Sequence, residues 1–348
     1  MKIALVAGAR PNFMKVAPLC HELSRRDIPH YLVNAGQHFS TSMAADFFNE
    51  FEIQPDYSLE PRRDSVAVQF ADMLVGLERT FLEDVPTMVV VVGDVNATLA
   101  GALAANKLGI PVAHVEAGLR SYNRAMPEEH NRVLTDHLAD LLLVTTEEGV
   151  TNLAQEGITK GVHHVGNIMI DTLVRFLPRV KDTDEQFFFA TLHRAENIDD
   201  KAVFTELLDA LEEIAKDAPI YLPLHPRTKK MAEHYGLTQR LESVFRLLEP
   251  QSYTDSLFYQ KNAQLVLTDS GGLQEETSYL GTPCITLRTE TERPITVDKG
   301  TNVLGGVTKN AILSAYREHS RERHDTNIPL WDGKTAKRIV DTLIMHIQ

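Results

Sequence analysis

The chain contains few cysteines, and no part of it is a long uninterrupted apolar stretch. Its 348 residues include two cysteines, Cys20 and Cys284, both in apolar segments. We therefore expect buried free thiols in a reducing compartment, without a disulfide or metal framework. No segment approaches the roughly 20 apolar residues of a membrane span, and the apolar run before Arg10 is too short for a signal peptide. These absences predict a cytoplasmic protein that does not enter a membrane.

Basic residues are also in the minority. There are 35 Lys and Arg against 48 Asp and Glu, which gives a formal net charge of −13. The phosphates of a nucleic acid would be repelled by this charge, since no strong basic patch offsets it. The sequence also lacks the His-x-x-x-His and Cys-x-x-Cys spacings of common metal sites. We therefore expect neither a nucleic-acid partner nor a metal.

Short β-branched runs alternate with longer amphipathic segments along the chain. Such continuous apolar strands, separated by helices, are typical of a parallel sheet that is covered on both faces. The length favours two domains, and the alternation is interrupted near residues 166–184. We predict one domain over residues 1–166 and a second over 167–333, with a terminal helix at 334–348 that packs back on the first. Two doubly wound α/β domains with a central cleft would bind ligands at the carboxyl ends of their strands. The strands are predicted at 3–7, 30–34, 87–93, 112–115, 141–145, 187–191, 220–224, 244–247, 264–267 and 284–286.

One strand–helix junction has the features of a phosphate site. Ser270, Gly271 and Gly272 follow the strand at 264–267 and open a helix. The glycines allow an anion to approach the backbone, and the helix N-terminus adds partial positive charge. Glu275 and Glu276, which the pattern places on the first helical turn, are positioned to hold a ribose diol. The same residues also fit a plain strand–turn–helix corner with Ser270 as the capping residue.

Three carboxylates follow neighbouring strands in the first half of the chain. Asp94 comes after the strand at 87–93, Glu116 ends the next strand, and Glu128 opens a helix. Each of them alone is an ordinary choice for a cap or a first helical turn. Together at neighbouring strand ends they indicate groups that transfer protons.

Cations and histidines also lie at strand ends. Arg10 and Lys15 surround the start of the first helix, which we predict at 15–26, and cations there oppose the helix dipole. An anionic ligand explains them better than stability does. His193 and His225 follow the first two strands of the second domain. Either can donate a proton, bind phosphate, or be satisfied within its loop.

A set of short motifs occurs in order along the chain. The motifs are Gly-Ala-Arg-Pro-Asn-x-x-Lys (8–15), Gly-Gln-His (36–38), Gly-Asp-Val-Asn-x-Thr (93–98), His-Val-Glu-Ala-Gly-Leu-Arg (114–120), Pro-Glu-Glu-x-Asn-Arg (127–132), Gly-Asn-x-x-Ile-Asp (166–171), His-Arg-x-Glu-Asn (193–197), Asp-Ser-Gly-Gly-x-Gln-Glu-Glu (269–276) and Thr-Glu-Arg-Pro (291–294). Together they resemble one family, the non-hydrolysing UDP-N-acetylglucosamine 2-epimerases, and the resemblance covers essentially the whole chain. It implies a glycosyltransferase-B-like fold of two Rossmann-like domains, a UDP-sugar in the cleft, and a homodimer.

The resemblance also implies a reaction and a set of residues. The C2 proton of the sugar is removed, UDP leaves by anti-elimination to give 2-acetamidoglucal, and UDP adds back after the proton returns to the other face. No cofactor is required, because there is no net oxidation. The catalytic residues implied are Asp94, Glu116, Glu128 and His193. The UDP-sugar-binding residues implied are Arg10, Lys15, His225, Ser270, Gly271, Gly272, Glu276 and Arg293, of which Ser270 to Gly272 would hold the diphosphate and Glu276 the ribose.

One segment departs from the family pattern. Many bacterial members have an Arg directly after Gln-His, in a segment that holds a second, activating UDP-GlcNAc. Here Gln37 and His38 are followed by Phe-Ser-Thr-Ser-Met, and the predicted helix at 65–76 has no Arg either. The resemblance therefore does not carry over substrate activation, and Gln37 and His38 are candidates for a remnant of that second site.

Other functions stay open at this stage. A hydrolysing 2-epimerase would release UDP and free N-acetylmannosamine. A related 2-epimerase would act on a modified UDP-sugar, such as a diacetamido uronic acid. From other classes, a UDP-sugar glycosyltransferase and a catalytically silent UDP-sugar sensor are compatible with the same fold, because fold alone does not settle function.

Overall fold

Runs of buried aliphatic residues form the strands of two separate parallel sheets. The computed structural model describes residues 1–36, 47–319, 322–323 and 325–347. The chain divides into unit 1, formed by Met1–Thr172 and Pro329–Gln348, and unit 2, formed by Leu173–Ile328. Each unit has one of the two sheets.

Within the described ranges, the sheet of unit 1 has seven parallel strands in the order β3-β2-β1-β4-β5-β6-β7. Its centre is fully apolar, because both faces of a parallel sheet are covered by helices. The five residues of β4 read Met-Val-Val-Val-Val, and all are buried. The strands are β1 (Ile3–Ala7), β2 (His30–Asn34), β3 (Tyr57–Ser58), β4 (Met88–Val92), β5 (Val112–Ala117), β6 (Leu141–Val144) and β7 (Val162–His164).

Two helices of unit 1 begin at residues suited to a first turn. Helix α1 begins at Arg10, five residues before the start predicted from the sequence, because Pro11 in the first turn needs no hydrogen-bond acceptor. Ser65 caps α2 by accepting a hydrogen bond from the Val68 N–H at 3.2 Å. The helices described in unit 1 are α1 (Arg10–Arg25), α2 (Val66–Glu83), α3 (Asn96–Lys107), α4 (Pro127–Leu138), α5 (Glu147–Gln155) and α6 (Ile168–Phe176), which runs into unit 2.

The sheet of unit 2 has six parallel strands in the order β10-β9-β8-β11-β12-β13. Its strands are β8 (Phe188–Thr191), β9 (Ile220–Pro223), β10 (Arg246–Leu248), β11 (Leu265–Thr268), β12 (Cys284–Thr286) and β13 (Asn302–Leu304). Its helices are α7 (Ala195–Ile198), α8 (Lys201–Ile214), α9 (Pro226–Tyr235), α10 (Thr238–Val244), α11 (Tyr253–Asn262), α12 (Gly271–Leu280), α13 (Ile295–Asp298) and α14 (Lys309–Glu318). The sequence patterns did not predict the strands β3, β7 and β13 or the helices α5 and α14. None of the helices in the described ranges has the length and apolar character needed to cross a membrane.

Both sheets reverse their strand order at one point. In unit 1 the reversal lies between β1 and β4, and in unit 2 it lies between β8 and β11. Open α/β sheets bind their ligands in the crevice at such a reversal, beyond the carboxyl ends of the strands. We therefore expect a ligand-binding site at the loops that follow β1, β4, β8 and β11.

The last helix, α15 (Thr335–Ile347), packs on α1 of unit 1. Its first turn is held by Asp171, whose two carboxylate oxygens accept hydrogen bonds from the Thr335 N–H at 2.9 Å and the Ala336 N–H at 2.7 Å. Farther along, Arg26 donates to Asp341 at 2.6 Å. Asp171 ended one of the family motifs without an assigned role, and the structure gives it a structural one.

Both cysteine thiols are buried and free. Burial raises the pKa of Cys20 and of Cys284 to about 12, so both thiols stay neutral at physiological pH. The prediction that they act as small buried hydrophobic residues is confirmed.

Candidate active site

Glu116 occupies a bulge at the end of β5. The pairing of β5 with β6 shifts between Val115 and Ala117, and Glu116 itself has a φ of +71°. This left-handed backbone costs a residue with a side chain roughly 1–2 kcal/mol, so the surrounding structure has to hold it. A β-bulge re-aims the side chain at its position, and here the carboxylate points at Lys15.

Lys15 and Glu116 form a buried ion pair. The Lys15 ammonium on α1 donates to Glu116 Oε2, and the two side chains are 9% and 3% exposed. The other carboxylate oxygen, Oε1, is buried and has no hydrogen-bond partner in the described ranges. The structure thus brings together two of the residues predicted from the sequence, one from the first strand–helix junction and one from β5. It also leaves one carboxylate oxygen able to accept a proton.

Asp94, which follows β4, is paired with an arginine. Arg132 on α4 donates to Asp94 Oδ2 from Nη2 at 2.8 Å and from Nε at 3.1 Å. The same guanidinium donates to Glu129 at 2.5 Å, and Asn131 donates to the Asp94 carbonyl at 2.9 Å. The first two turns of α4 therefore fix the position of Asp94. The sequence analysis gave Arg132 no role, although it ended the motif Pro-Glu-Glu-x-Asn-Arg.

Two further predicted residues of unit 1 are not part of these ion pairs. Glu128 is exposed on the first turn of α4, and in the described part of the chain it has no hydrogen bond or ion pair. Arg10 is half-buried, with its guanidinium carbon 5.0 Å from the centre of the Phe47 ring. Gln37 and His38 lie outside the described residues.

In unit 2, His193 is held by a buried aspartate. His193 follows β8, and its Nδ1 lies 2.9 Å from Asp269 Oδ1. Asp269 Oδ2 accepts hydrogen bonds from the backbone N–H groups of His193 and Arg194, both at 2.9 Å. Burial acts to raise the pKa of Asp269, but these hydrogen bonds and the His193 charge outweigh it and lower that pKa. The ionised carboxylate therefore orients the imidazole, whose side chain stays 39% exposed.

His225, after β9, lies beside His193. The two ring centres are 5.7 Å apart. The His225 ring caps α9, because its Nδ1 accepts a hydrogen bond from the Arg227 N–H at 3.2 Å. Partial burial and the charge of His193 lower the pKa of His225. His225 is thus a neutral ring at physiological pH, with Nε2–H as its donor.

The predicted phosphate site falls at the start of α12, and its role in binding phosphate stays a prediction. Ser270 is the cap residue, but its side chain makes no capping hydrogen bond. The first backbone N–H groups of a helix have no partner within it, so those of Gly271 and Gly272 can bind an anion. A side chain at Gly271 would place a carbon 2.4 Å from Arg293 Nη1, which explains why glycine is needed there.

Arg293 belongs to a network of buried charges beside this helix start. It contacts Glu275 at 2.9 Å and Glu292 at 2.6 Å. Glu292 also pairs with Arg288 at 2.8 Å and with Arg194 at 3.2 Å. Burial acts to raise the pKa of Glu292, but the three arginines outweigh it and hold that pKa well below its usual range. The guanidinium of Arg293 is therefore fixed in place, 12% exposed, next to Gly271.

Glu276 differs from its predicted position. It is the sixth residue of α12, so both Glu275 and Glu276 lie on the second turn and the first-turn placement was wrong. Glu276 is 2% exposed, and its oxygens accept hydrogen bonds from Tyr253 Oη at 2.7 Å and Gln260 Nε2 at 2.8 Å. Burial raises its pKa to about 7. Its role towards ribose stays a prediction.

The structure also identifies residues that sequence reasoning missed. Arg132 and Asp136 lie within helical patterns, and Asp269 was seen only as part of a turn. For Arg132 and Asp136 the one signal was a charged residue spaced to face the sheet, which a sequence pattern cannot distinguish from a solvated position. For Asp269 the signal was its place directly after the apolar strand β11. Asp136 and Asp269 are in fact almost completely buried.

Comparison with known proteins decides the family. The family model described as UDP-N-acetylglucosamine 2-epimerase matches residues 21–344. This chain belongs to that family. The predicted resemblance is therefore confirmed.

Relatives of this epimerase-family chain match it from end to end. The UDP-N-acetylglucosamine 2-epimerase of Methanococcus maripaludis is 39% identical over 358 residues, 98% of this chain and 97% of that protein. The UDP-2,3-diacetamido-2,3-dideoxy-D-glucuronate 2-epimerase of Pseudomonas aeruginosa is also 39% identical, over 355 residues and 99% of both proteins.

A solved structure is equally similar. It is the crystal structure of the Methanocaldococcus jannaschii UDP-GlcNAc 2-epimerase in complex with UDP-GlcNAc and UDP, with a TM-score of 0.92 and 39% identity. The match covers 99% of this chain and 100% of that one. The predicted fold class, two Rossmann-like α/β domains of the glycosyltransferase-B type, is confirmed.

Proposed function

We propose that this protein is a UDP-N-acetylglucosamine 2-epimerase that interconverts UDP-GlcNAc and UDP-ManNAc. The observation that carries the proposal is the buried Lys15–Glu116 pair at the strand reversal of unit 1, in which one carboxylate oxygen has no hydrogen-bond partner among the described residues. A proton-transfer group is what a 2-epimerase needs and what a UDP-sugar sensor does not. Family membership and the full-length relatives support the same activity.

The proposed reaction inverts C2 without oxidation. A carboxylate takes the C2 proton of UDP-GlcNAc, the bond from C1 to the diphosphate oxygen breaks, and 2-acetamidoglucal and UDP form. A proton is then delivered to C2 on the opposite face while UDP re-forms its bond to C1. The proton and the leaving group return, so no cofactor is consumed or needed.

Glu116, Asp94 and Glu128 are the proposed proton-transfer residues. Glu116 and Asp94 are held rigidly by Lys15 and Arg132, which suits groups that must lie close to the reacting carbon. Glu128 is exposed on the first turn of α4. Two opposite faces of C2 require two groups or one mobile group, and we assign no individual acid or base role.

The proposed UDP site lies at the strand reversal of unit 2. Backbone N–H groups of Gly271 and Gly272 at the start of α12 would bind the diphosphate, with Ser270 and Arg293 beside them. His193 would offset the negative charge that grows on UDP as it leaves. We place Arg10, Lys15 and His225 among the further UDP-sugar contacts, and Glu276 at the ribose.

Proton NMR of the protein with UDP-GlcNAc in D₂O tests this function. We expect UDP-ManNAc to appear, with deuterium at C2 in both epimers. Free UDP together with N-acetylmannosamine would indicate the hydrolysing reaction instead. An unchanged spectrum with folded protein would refute the activity on this sugar.

The three carboxylates are tested by near-isosteric variants. We expect Asp94→Asn, Glu116→Gln and Glu128→Gln each to lower turnover by about a hundredfold or more, since each removes a proton-transfer group. The exposed Glu233→Gln on α9 is the matched control. Wild-type rates in all three variants, with the fold retained, would show that the site is wrongly placed.

A second candidate substrate is a UDP-diacetamido uronic acid. The observation in its favour is the 39% identity to the Pseudomonas aeruginosa enzyme, which equals the identity to the Methanococcus maripaludis enzyme. The same NMR assay with UDP-2,3-diacetamido-2,3-dideoxy-D-glucuronate separates the two. A higher kcat/KM on the uronic acid would assign the protein to that substrate.

We also propose that the protein is a cytoplasmic homodimer. The family resemblance supports the dimer, and the net charge of −13 argues against a nucleic-acid partner. Light scattering of the purified protein would give about twice the chain mass of 39.0 kDa for a dimer. A mass of one chain at micromolar concentration would refute it.

A further inference from the structure

A buried polar cluster lies behind the Glu116 bulge. Asp136 on α4 accepts a hydrogen bond from His114 Nδ1 at 2.6 Å and contacts Arg120 Nη1 at 2.7 Å. The three side chains are at most 1% exposed. Arg120 continues to Glu156 through two contacts of 2.7 Å. None of these residues has been given a part in the proposed reaction.

Asp136 holds the chain on both sides of the bulge. One of its oxygens accepts from His114, two residues before Glu116. The other accepts from the backbone N–H of Gly118, two residues after it, at 3.1 Å. Gly118 has a φ of +80°, and a side chain there would collide with the Gly149 carbonyl. The left-handed backbone of Glu116 is thus fixed by one carboxylate that binds its two flanks.

His114 extends the same contact to the neighbouring strand. Its Nε2 lies 2.8 Å from the carbonyl oxygen of Gly93, the residue before Asp94. Gly93 in turn packs against the ion pair, since a side chain carbon there would lie 3.2 Å from Lys15 Nζ and 3.5 Å from Glu116 Oε2. One imidazole therefore links the loops that carry Asp94 and Glu116.

Stability alone is a poor reason for such a cluster. Replacing buried ion pairs by apolar residues of similar volume is often neutral or stabilising, because desolvation offsets the attraction. Burial acts to raise the pKa of Asp136, but His114 and Arg120 outweigh it and lower that pKa. Both His114 ring nitrogens face oxygen atoms, Asp136 Oδ1 and the Gly93 carbonyl. The cluster fixes the geometry of the backbone around it, and this offsets the cost of desolvating its charges.

We propose that the His114–Asp136 pair is a positioning device that fixes the Glu116 and Asp94 carboxylates for proton transfer at C2. This inference rests on the proposed function. His114 and Asp136 do not touch the substrate; they act through the bulge at Glu116 and the carbonyl of Gly93. A misplacement of about 1 Å at a reacting group can lower a rate by about a hundredfold, so loss of the pair should be seen in turnover.

Two near-isosteric variants each remove one part of the device. His114→Asn keeps a donor for Asp136 and removes the contact with Gly93. Asp136→Asn keeps an acceptor for His114 and removes the acceptor for the Gly118 N–H. For each we expect kcat and deuterium incorporation at C2 to fall together by about thirtyfold or more, with Kd for UDP within about twofold of wild type. His137→Asn is the control, because His137 is exposed and lies next to Asp136 on the same helix.

A double-mutant cycle separates positioning from a merely structural role. In a Glu116→Gln background, His114→Asn should cost less than about threefold in turnover, because the group it positions is already disabled. Equal losses in both backgrounds, or wild-type kcat in both single variants, would overturn the inference. If His114→Asn does not fold, the cycle is run with Asp136→Asn, whose side chain has the same shape.

The experiments distinguish a failure of the proposed epimerase activity from a failure of the proposed positioning role. A wild-type protein that fails to exchange C2 hydrogen on either candidate UDP-sugar refutes the epimerase activity. An active wild type with active His114→Asn and Asp136→Asn variants leaves the activity intact and refutes only the positioning role.

Discussion

The buried carboxyl of Glu276 gives the sharpest test of the structure. Its pKa is raised from 4.5 to about 7, first by burial and then by the charge of Glu275, while hydrogen bonds from Tyr253 and Gln260 oppose the rise. In the unfolded chain the side chain is solvated, and its pKa returns to the ordinary value near 4.5. The folded protein therefore binds the proton of Glu276 more tightly than the unfolded chain does.

The sign and size of the effect follow from this difference. Because the folded pKa is the higher one, the stabilisation from protonated Glu276 is complete below pH 4.5 and is lost as pH rises through about 7. The difference between about 7 and 4.5 corresponds to about 3 kcal/mol in total. Between pH 5.5 and 8.5 the expected loss in the free energy of unfolding is about 2 kcal/mol.

Glu276→Gln should remove this dependence. Gln260 Oε1 is buried without a partner in the described ranges, so a flip of the Gln260 amide lets it accept from the introduced amide. The network then stays hydrogen-bonded at every pH without a charge. Relative to wild type, we expect the variant to gain about 2 kcal/mol between pH 5.5 and 8.5, or about 4–8 °C in Tm for a unit of this size.

The assay is thermal and urea unfolding of the full chain without UDP at pH 5.5, 7.0 and 8.5. The exposed Glu233→Gln on α9 is the control and should follow the wild-type pH profile. Parallel profiles for wild type and Glu276→Gln would refute the reasoning, because Glu276 would then ionise equally in the folded and unfolded chains.

Three further perturbations test the site and its frame. Lys15→Met should lower the free energy of unfolding by about 3–5 kcal/mol in urea titrations, because it leaves a buried carboxylate uncompensated; adding Glu116→Gln should recover most of the loss, and failure to do so would contradict the pairing. Gly271→Ala should displace the Arg293 guanidinium and weaken UDP binding by about tenfold or more in calorimetry, while an unchanged Kd would exclude Arg293 from the UDP site. Asp171→Ala should cost about 1–2 kcal/mol and expose the terminal helix to protease, since two backbone N–H groups lose their acceptor; wild-type protease resistance would argue against this cap.

Much of the architecture could be predicted from the sequence, because burial on both faces constrains every residue of a central strand. The Val run of β4 and the apolar residues of β1 and β11 leave no other environment that suits them. The short strands β3, β7 and β13 were missed, since two or three residues carry too little periodicity to read.

Some features of the candidate site could likewise be predicted from the sequence, and others could not. Asp94, Glu116, His193 and Ser270 could be identified because polar residues directly after apolar strands are conspicuous. Which residues pair with them could not be predicted, since Lys15 and Glu116 are 101 residues apart in the chain and His193 and Asp269 are 76 apart. Only the order of strands in the sheet makes them neighbours.

What the sequence determined by itself is therefore local: which segments are the long buried strands, roughly where they end, and which polar residues follow them. The tertiary structure decided which charges meet. It paired Glu116 with Lys15 and Asp94 with Arg132, and it buried Glu276 so that its pKa rises to about 7. The physical reason is that hydrophobic periodicity is a property of residues that are close in the sequence. The energy of a charge instead depends on its burial and on its distance from other charges, which only the folded chain fixes.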